Sequence, residues 1–476
     1  MADIRCDGRD GRNGLGAGSG WRRGECKMPG GKLVAVGIGP AADRRDGTVK
    51  ARIDGDFFVE GDASAARGLL HELERAIVAY AGEPRGVSDG PAVASGMGAE
   101  AEALSDLSDR LSAVMGRWPE VTMVGANART IATAALRAMG ADAAAASSPA
   151  PQPMADRQAA ADRQIVAGQS MPNQTVSAPQ LPGLIVLRDV PREPAMQLAL
   201  DQACAEAVAA GRMGPIIRLW QWDRPAVVIG RFQSLANEVD LDQAAAEGVT
   251  VVRRITGGGA MFAEPESVIT YSLVAPLDVV ADVGIGESYH RCDQWVLDAL
   301  RSLGIEARYQ PINDIASPLG KIGGAAQRRF PPVGSADASG AARTAQTAQA
   351  PGAVLHHTML SYNIDAAKMT RILRISREKM SDKAVKSAAK RVDPLRSQTG
   401  LARAQVIDRM IGVLTDPAGP YRARLCEPGP TEKASGAVGP GNAAGLDEAI
   451  PPQVIARAEE LARDRFSTPE WTAIIP

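Results

Sequence analysis

The sequence predicts an α+β protein built from two folded units. Three observations carry that prediction. Short β-branched runs read as strands and lie among longer stretches with helical spacing. A stretch at about 142–182 is rich in Ala, Ser, Pro and Gln, holds no aromatic residue and divides the chain. A length of 476 residues with 45% apolar content gives two or three domains material for real cores.

The elements follow in order. Residues 1–24 are polar and Gly-rich and read as a disordered tail. The first unit, 25–141, opens with a strand at Leu33–Ile38. Val49–Ile53 and Phe57–Glu60 alternate as two further strands about the turn signal Asp54-Gly55-Asp56. Helical spacing follows at Ala65–Ala81, Glu100–Met115 and Asn127–Met139. After the linker, the second unit spans 183–476. Its expected strands are Leu184–Leu187, Ile216–Trp222, Ala226–Ile229, Val251–Arg254 and Val268–Val274. Ile216–Trp222 and Ala226–Ile229 read as a pair, joined by a turn at Asp223-Arg-Pro225. Helices are expected at Pro194–Ala210 and Glu287–Leu303. Low-complexity stretches at about 331–352 and 417–449 read as surface insertions.

Composition narrows the function classes. A formal net charge of −2 gives no global drive toward nucleic acid or membrane, and neither is expected as a partner. The five cysteines, Cys6, Cys26, Cys204, Cys292 and Cys426, are widely spaced and form no CxxC pair, which indicates neither a disulfide framework nor a structural zinc site. The first residues lack the apolar run of a signal peptide, so a reducing cytoplasm is the expected compartment.

The most informative stretch is Val251-Val-Arg-Arg-Ile-Thr-Gly-Gly-Gly-Ala-Met-Phe262. Glycines bare the backbone N–H groups to an anion, and an arginine fork suits phosphate or carboxylate. The plainer alternative is a tight turn beside a solvated arginine pair. A second cluster is Ile312-Asn-Asp-Ile315 followed by Gly320-Lys-Ile-Gly-Gly-Ala-Ala-Gln327, with Lys321 between turn residues. A lysine there can serve phosphate and carboxylate together, and Asn313 and Asp314 can serve Mg²⁺ or a ribose hydroxyl. Alternatively Lys321 is a solvated loop lysine and Asn313-Asp314 a plain turn. In His356-His-Thr-Met-Leu-Ser-Tyr-Asn-Ile364 the two histidines point to opposite faces of a strand, and neither has an obvious carboxylate partner. The basic run Lys379–Val392 is a solvated helix face or a loop for a phosphate or an acidic partner.

Taken in order, several motifs resemble the lipoate–protein ligase family. They are Val228-Ile-Gly-Arg-Phe-Gln233, Val252-Arg-Arg-Ile-Thr-Gly-Gly-Gly-Ala-Met-Phe262, Asn313-Asp314, Gly320-Lys-Ile-Gly-Gly-Ala-Ala-Gln327, His357-Thr-Met-Leu360 and Pro469-Glu-Trp471. Lys27-Met-Pro-Gly-Gly-Lys-Leu-Val-Ala-Val36 and Ile53-Asp-Gly-Asp-Phe-Phe58 resemble the accessory domain of these ligases, here fused N-terminally. The resemblance implies a biotin/lipoate-ligase-type catalytic domain, a mixed sheet with flanking helices, plus a small α+β accessory domain. It implies ATP and Mg²⁺, with lipoate as substrate. The acceptors would be lipoyl-domain proteins: E2 subunits of 2-oxoacid dehydrogenases and the H protein of glycine cleavage. By the same resemblance Lys321 is catalytic, touching the phosphate and the carboxyl oxygen. Arg254, Gly257, Gly258, Gly259, Ala260, Met261, Phe262, Asn313, Asp314, Gly324 and Gln327 line the nucleotide or lipoyl-adenylate, with Arg231, Gln233 and His357 near the substrate. The accessory domain would serve chiefly adenylation.

One departure is Ala263-Glu264, where many members have His-Asp; this leaves acyl selectivity open. The rival reading is an octanoyl or lipoyl transferase of the same fold. In transferases resembling this family a nucleophilic cysteine lies shortly before the lysine motif, and Gln310-Pro-Ile-Asn-Asp-Ile315 contains none. A third reading is a lipoate-binding protein without catalysis.

Overall fold

The computed structural model describes residues 20–27, 31–40, 49–83, 97–140, 179, 181–310, 312–332, 350–374, 394–427 and 448–476. The tail before Gly20, nearly all of the expected linker, most of both insertions and the basic run lie outside the described residues.

In the first unit, strands β1 (Arg22–Lys27), β2 (Leu33–Pro40) and β3 (Val49–Gly55) form an antiparallel sheet in that order. Helices α1 (Ala63–Gly82), α2 (Met97–Met115) and α3 (Ala128–Met139) supply the rest of its core. Asp62 caps α1 by accepting from the N–H groups of Ser64 and Ala65, and Asn127 and Thr130 form a reciprocal capping box on α3. Val34, Val36, Leu69, Leu73, Ile77 and Ile131 close the core. Strand β1 corrects the expected tail boundary at residue 24. Its residues are polar, but β2 fixes its register and Trp21 packs on Gly39. The Asp54–Asp56 turn also does not fold Phe57–Glu60 back on β3. Strand β4 (Phe58–Glu60) pairs instead with β5 (Thr122–Val124), which carried no sequence signal.

The second unit is a mixed sheet of eight strands between two helical layers. Its strands are β6 (Ile185–Arg192), β7 (Ile216–Trp222), β11 (Val268–Pro276), β12 (Arg308–Gln310), β13 (Asp314–Ser317), β14 (Gly320–Phe330), β15 (Ala353–Ser361) and β16 (Arg424–Cys426). The order is β12-β13-β14-β15-β11-β7-β6-β16, antiparallel except for the β7-β6-β16 edge. Helix α4 (Pro194–Ala209) covers one face with α7 (Pro452–Leu461); α5 (Ile285–Ser302) and α6 (Arg403–Thr415) cover the other. The continuous apolar run of β7 follows from this burial on both sides, with Ile216 and Trp220 toward α4 and Ile217 and Leu219 toward α5.

A smaller sheet, β10-β8-β9, stands beside the large one, from β8 (Ala226–Ile229), β9 (Thr250–Arg253) and β10 (Met261–Ala263). The expected β7–β8 pair is therefore absent: β8 pairs with β9 in parallel and with β10. Gly320–Gln327 is also strand rather than turn, because β13 and β15 pair with it on either side. Arg424–Cys426, inside an expected insertion, is the parallel edge strand. No helix among the described residues is long and apolar enough to cross a membrane.

The units dock through Asp56-Phe57-Phe58. Gly55, at φ 148°, makes the turn; a Cβ there would lie 2.2 Å from the Leu33 carbonyl. Gly55 N–H donates to the Phe232 carbonyl at 2.9 Å, and the Phe57 and Phe232 rings stack at 5.3 Å. Glu60 is buried near this interface. Burial lifts its carboxyl from 4.5 to about 7, against the pull of Arg329 and Arg328. A carboxyl raised on folding contributes its stability below pH 4.5 and loses it as pH rises to about 7. Glu60→Gln should therefore stabilise the protein at pH 8 by on the order of 3 kcal/mol and show little advantage at pH 4.5. Thermal melts across that range check this; an equal effect at both pH values would contradict it.

Candidate active site

Arg254 organises the glycine turn from inside. Its Nη2 donates to the carbonyls of Gly257 at 2.6 Å and Gly259 at 2.9 Å, its Nε to Thr256 Oγ1 at 3.0 Å, and its Nη1 to the Val228 carbonyl at 3.1 Å. A trans peptide directs its C=O and N–H to opposite sides. Turning the Gly257 and Gly259 carbonyls inward therefore turns the Gly258 and Ala260 N–H groups outward. Burial lowers the Arg254 guanidinium to about 10, so it stays charged at neutral pH. Arg253 takes no part in the turn. It donates to the carbonyls of Gly230, Gln233, Thr472 and Ile475 and ties the C-terminal segment to the sheet.

A buried polar chain continues from Thr256. Thr256 Oγ1 lies 2.8 Å from His357 Nε2, and His357 Nδ1 lies 2.9 Å from Asp201 Oδ2. The carboxylate can only accept, so Nδ1 carries the proton and Nε2 accepts from the threonine. Asp201 is held in turn by Arg218 at 2.8 Å, and Arg218 also pairs with Asp189 at 3.0 Å. Desolvation keeps His357 below its ordinary value. His356, on the opposite face, lies 2.7 Å from Asp293. The absence of a carboxylate partner read from the sequence is thus corrected for both histidines: Asp201 and Asp293 come from α4 and α5, far away along the chain.

Lys321, Asp314, Asn313 and Gly324 form a second cluster. Lys321 Nζ donates to Asp314 Oδ1 at 2.8 Å. Gly324, opposite Asp314 across the ladder, leaves room for this pair; a Cβ there would come within 3.0 Å of Lys321 Nζ. Burial would raise the Asp314 carboxyl, but Lys321 and Lys32 hold it below its ordinary value. Asn313 Oδ1 accepts from Lys32 Nζ of the first unit at 2.6 Å. Two ammoniums thus engage Asn313 Oδ1 and Asp314 Oδ1, and the second carboxylate oxygen, Asp314 Oδ2, is the one that would hold Mg²⁺ together with substrate phosphates.

One phenyl ring joins the two clusters. A Cβ on Gly258 would lie 3.0 Å from the Phe58 ring, and Lys32 Nζ sits 5.6 Å from the centroid of the same ring. The Gly258 N–H points at the Phe57 carbonyl at 3.4 Å. An anion on that N–H would have to displace Phe57. Gln233 is a strut between the units: its Oε1 accepts from Gly230 N–H and its Nε2 donates to Asp56 Oδ1, each at 2.7 Å.

The other expected residues lie farther out. Arg231 packs on Trp471, its guanidinium carbon 4.9 Å from the ring centroid. Desolvation and the nearby Arg328, Arg67 and Arg465 pull Arg231 to about 10. Gln327 is not brought to Lys321; six residues along β14, roughly 20 Å, it donates to Ser288 Oγ at 2.9 Å in the core. Phe262 is a core side chain beside Val227 and Ile229, and Ala260 and Met261 lead into β10. Ala263 is buried, and Glu264 is engaged by Lys368 at 2.8 Å. The residues not foreseen are Lys32, Thr256 and Asp201. Only Lys32 had a local signal, its two preceding glycines.

Similar known proteins include both a lipoate-protein ligase and octanoyltransferases. The family model for the lipoyl protein ligase A/B catalytic domain matches residues 193–415. Lipoate-protein ligase A subunit 1 of Thermoplasma acidophilum is 32% identical over 210 residues, 44% of this chain and 74% of that one. An octanoyltransferase LipM of Kyrpidia tusciae is 30% identical over 213 residues, 43% of this chain and 76% of that one. A solved bipartite lipoate protein ligase of T. acidophilum superposes with a TM-score of 0.45 at 26% identity, over 62% of this chain and 97% of that one.

The docking geometry makes a prediction. A methyl at Gly257 would lie 2.6 Å from the Phe57 carbonyl oxygen and 3.0 Å from Phe58 Cα. Gly257→Ala should push the first unit off the turn and speed amide hydrogen exchange at residues 55–60 and 230–233, sparing β7 and β11. Unchanged exchange at the turn would count against the contact. Matched across its sheet, glycine turn and lysine cluster, the chain belongs to the lipoyl protein ligase A/B catalytic-domain family.

Proposed function

We propose that the protein is an ATP-dependent lipoate–protein ligase. The observation that carries this reading is the Lys321–Asp314 pair linked through Asn313, Lys32 and Phe58 to an outward-facing glycine turn, with no thiol among the described residues that make these contacts. In the first step a carboxylate oxygen of lipoate attacks the α-phosphorus of ATP. The bond from that phosphorus to the bridging oxygen breaks, and pyrophosphate leaves with the electron pair. In the second step a lysine amine of a lipoyl domain attacks the acyl carbon. The carbon–oxygen bond to AMP breaks, AMP leaves with the electron pair, and the neutral amine becomes an amide N–H by giving one proton to solvent.

This chain's part is to position and to balance charge. Lys321 is a mobile point charge able to face both the phosphoryl oxygens and the carboxylate being activated. Asp314 keeps it aimed between turnovers. The outward Gly258 and Ala260 N–H groups are neutral donors for the same anion once Phe57 moves. The Arg254–Thr256–His357–Asp201 chain holds the turn in that orientation.

A second reading has its own support, since one relative above is an octanoyltransferase. Such a transfer needs a thiolate. Burial pushes the Cys204 thiol up to about 12 and the Cys292 thiol higher still, while Cys26 and Cys426 sit on strands β1 and β16 rather than on the β13–β14 hairpin that carries Lys321. That favours the ligase. Lys321→Ala should cut lipoate-dependent pyrophosphate release from ATP by at least about a hundredfold, with an unchanged melting temperature. Normal release by the variant would remove Lys321 from the step. No release by the parent protein, with acyl transfer from an octanoyl carrier protein, would make it a transferase.

A further inference from the structure

We propose that the phosphoryl-binding pocket is shared between the two units, with Lys32 of the first unit supplying a second ammonium to the anion held by Lys321. The proposal rests on the ligase reading for the identity of that anion, the triphosphate of ATP.

The fold delivers Lys32 to this place. Its backbone N–H donates to the Gly125 carbonyl at 2.9 Å, pinning the start of β2 against the end of β5. Gly125 sits at φ 81°, and a Cβ there would lie 2.4 Å from Lys32 Cγ. The glycine therefore opens the passage through which the lysine stem crosses to the second unit. At the far end Nζ meets Asn313 Oδ1 at 2.6 Å, over the face of Phe58. Asn313 has no freedom to retreat: its Nδ2 donates to the Ala325 carbonyl at 2.5 Å, and its own carbonyl accepts from Ala325 N–H at 2.8 Å.

Lys32 feels Asp314 and Asp56 as attraction, and Lys321 and Lys27 as repulsion. Asp56 accepts from Gln233, and Asp314 is bonded to Lys321. The amide oxygen that receives Lys32 carries no formal charge. Desolvation lowers the Lys32 ammonium, so its protonated form gains from a closer negative partner. An arriving polyphosphate supplies that charge, and one group of the first unit then touches the nucleotide directly. An N-terminal unit that only covered the site would need no ammonium there.

The test uses the full chain and ATP itself. Calorimetric titration of ATP into the parent protein, Lys32→Met and Lys32→Arg separates the possibilities. Methionine keeps the apolar stem without the charge, and arginine keeps the charge. The expected result is about a ten- to hundredfold weaker ATP affinity for Lys32→Met, the loss of one charge-assisted contact, with partial recovery in Lys32→Arg. Adenylate formation should fall with it, while transfer from pre-made lipoyl-adenylate falls less. Equal ATP affinity in parent and Lys32→Met, at matched melting temperatures, would overturn the proposal. So would a loss that Lys32→Arg does not recover, or an absence of ATP binding by the parent. ATP binding that depends on Lys32 without any adenylate would keep the shared pocket and defeat the ligase reading instead.

Discussion

Everything at this site depends on Arg254 turning two carbonyls of a glycine triplet inward. A buried guanidinium needs acceptors, and no carboxylate among the described residues bonds to it. Backbone carbonyls fill that need, and their peptide N–H groups then have only one direction left. The glycines permit the arrangement because side chains at 257 and 258 would strike Phe57 and Phe58. The anion-seeking face of the turn thus follows from satisfying a buried cation.

The same logic extends through the layers. Asp189, Arg218, Asp201, His357 and Thr256 run in series from β6 to the turn, each group supplied with a partner by a neighbour. Breaking one link would strand a buried charge, which costs far more than the link contributes. Rigidity at the glycine turn is therefore inherited from the sheet and from α4. The lysine cluster is built differently. It lies at the edge of the sheet, its ion pair is part-exposed, and it is completed only by the docked first unit. A fixed donor array and an adjustable pair of ammoniums suit a reaction in which the negative charge moves from phosphate to leaving group.

Much of this was legible in the sequence. The α+β class, the long helices and the strands around the glycines follow from spacing and capping signals such as Asn127 and Thr130. Lys321 and Asp314 each stand out in the sequence, and the structure pairs them, seven residues apart across one hairpin. What could not be read was pairing over long distances. Strand β8 sits four residues after β7 yet joins another sheet. His357 meets Asp201 from 156 residues away, and Lys32 meets Asn313 across 281. His357 and Asn313 stand out in the sequence, and two glycines precede Lys32, but nothing local names the partner of any of them. Gln327 shows the converse: its motif position suggested a ligand, while alternation along β14 buries it beside α5.

Adenylation is decided by the intact mass of an apo lipoyl domain after incubation with the full chain and lipoate. Paired reactions with and without ATP suffice. The shared lysine pocket predicts a gain of one lipoyl group that appears only with ATP. A gain without ATP, or acylation from an octanoyl carrier protein alone, would contradict the adenylating ligase described here.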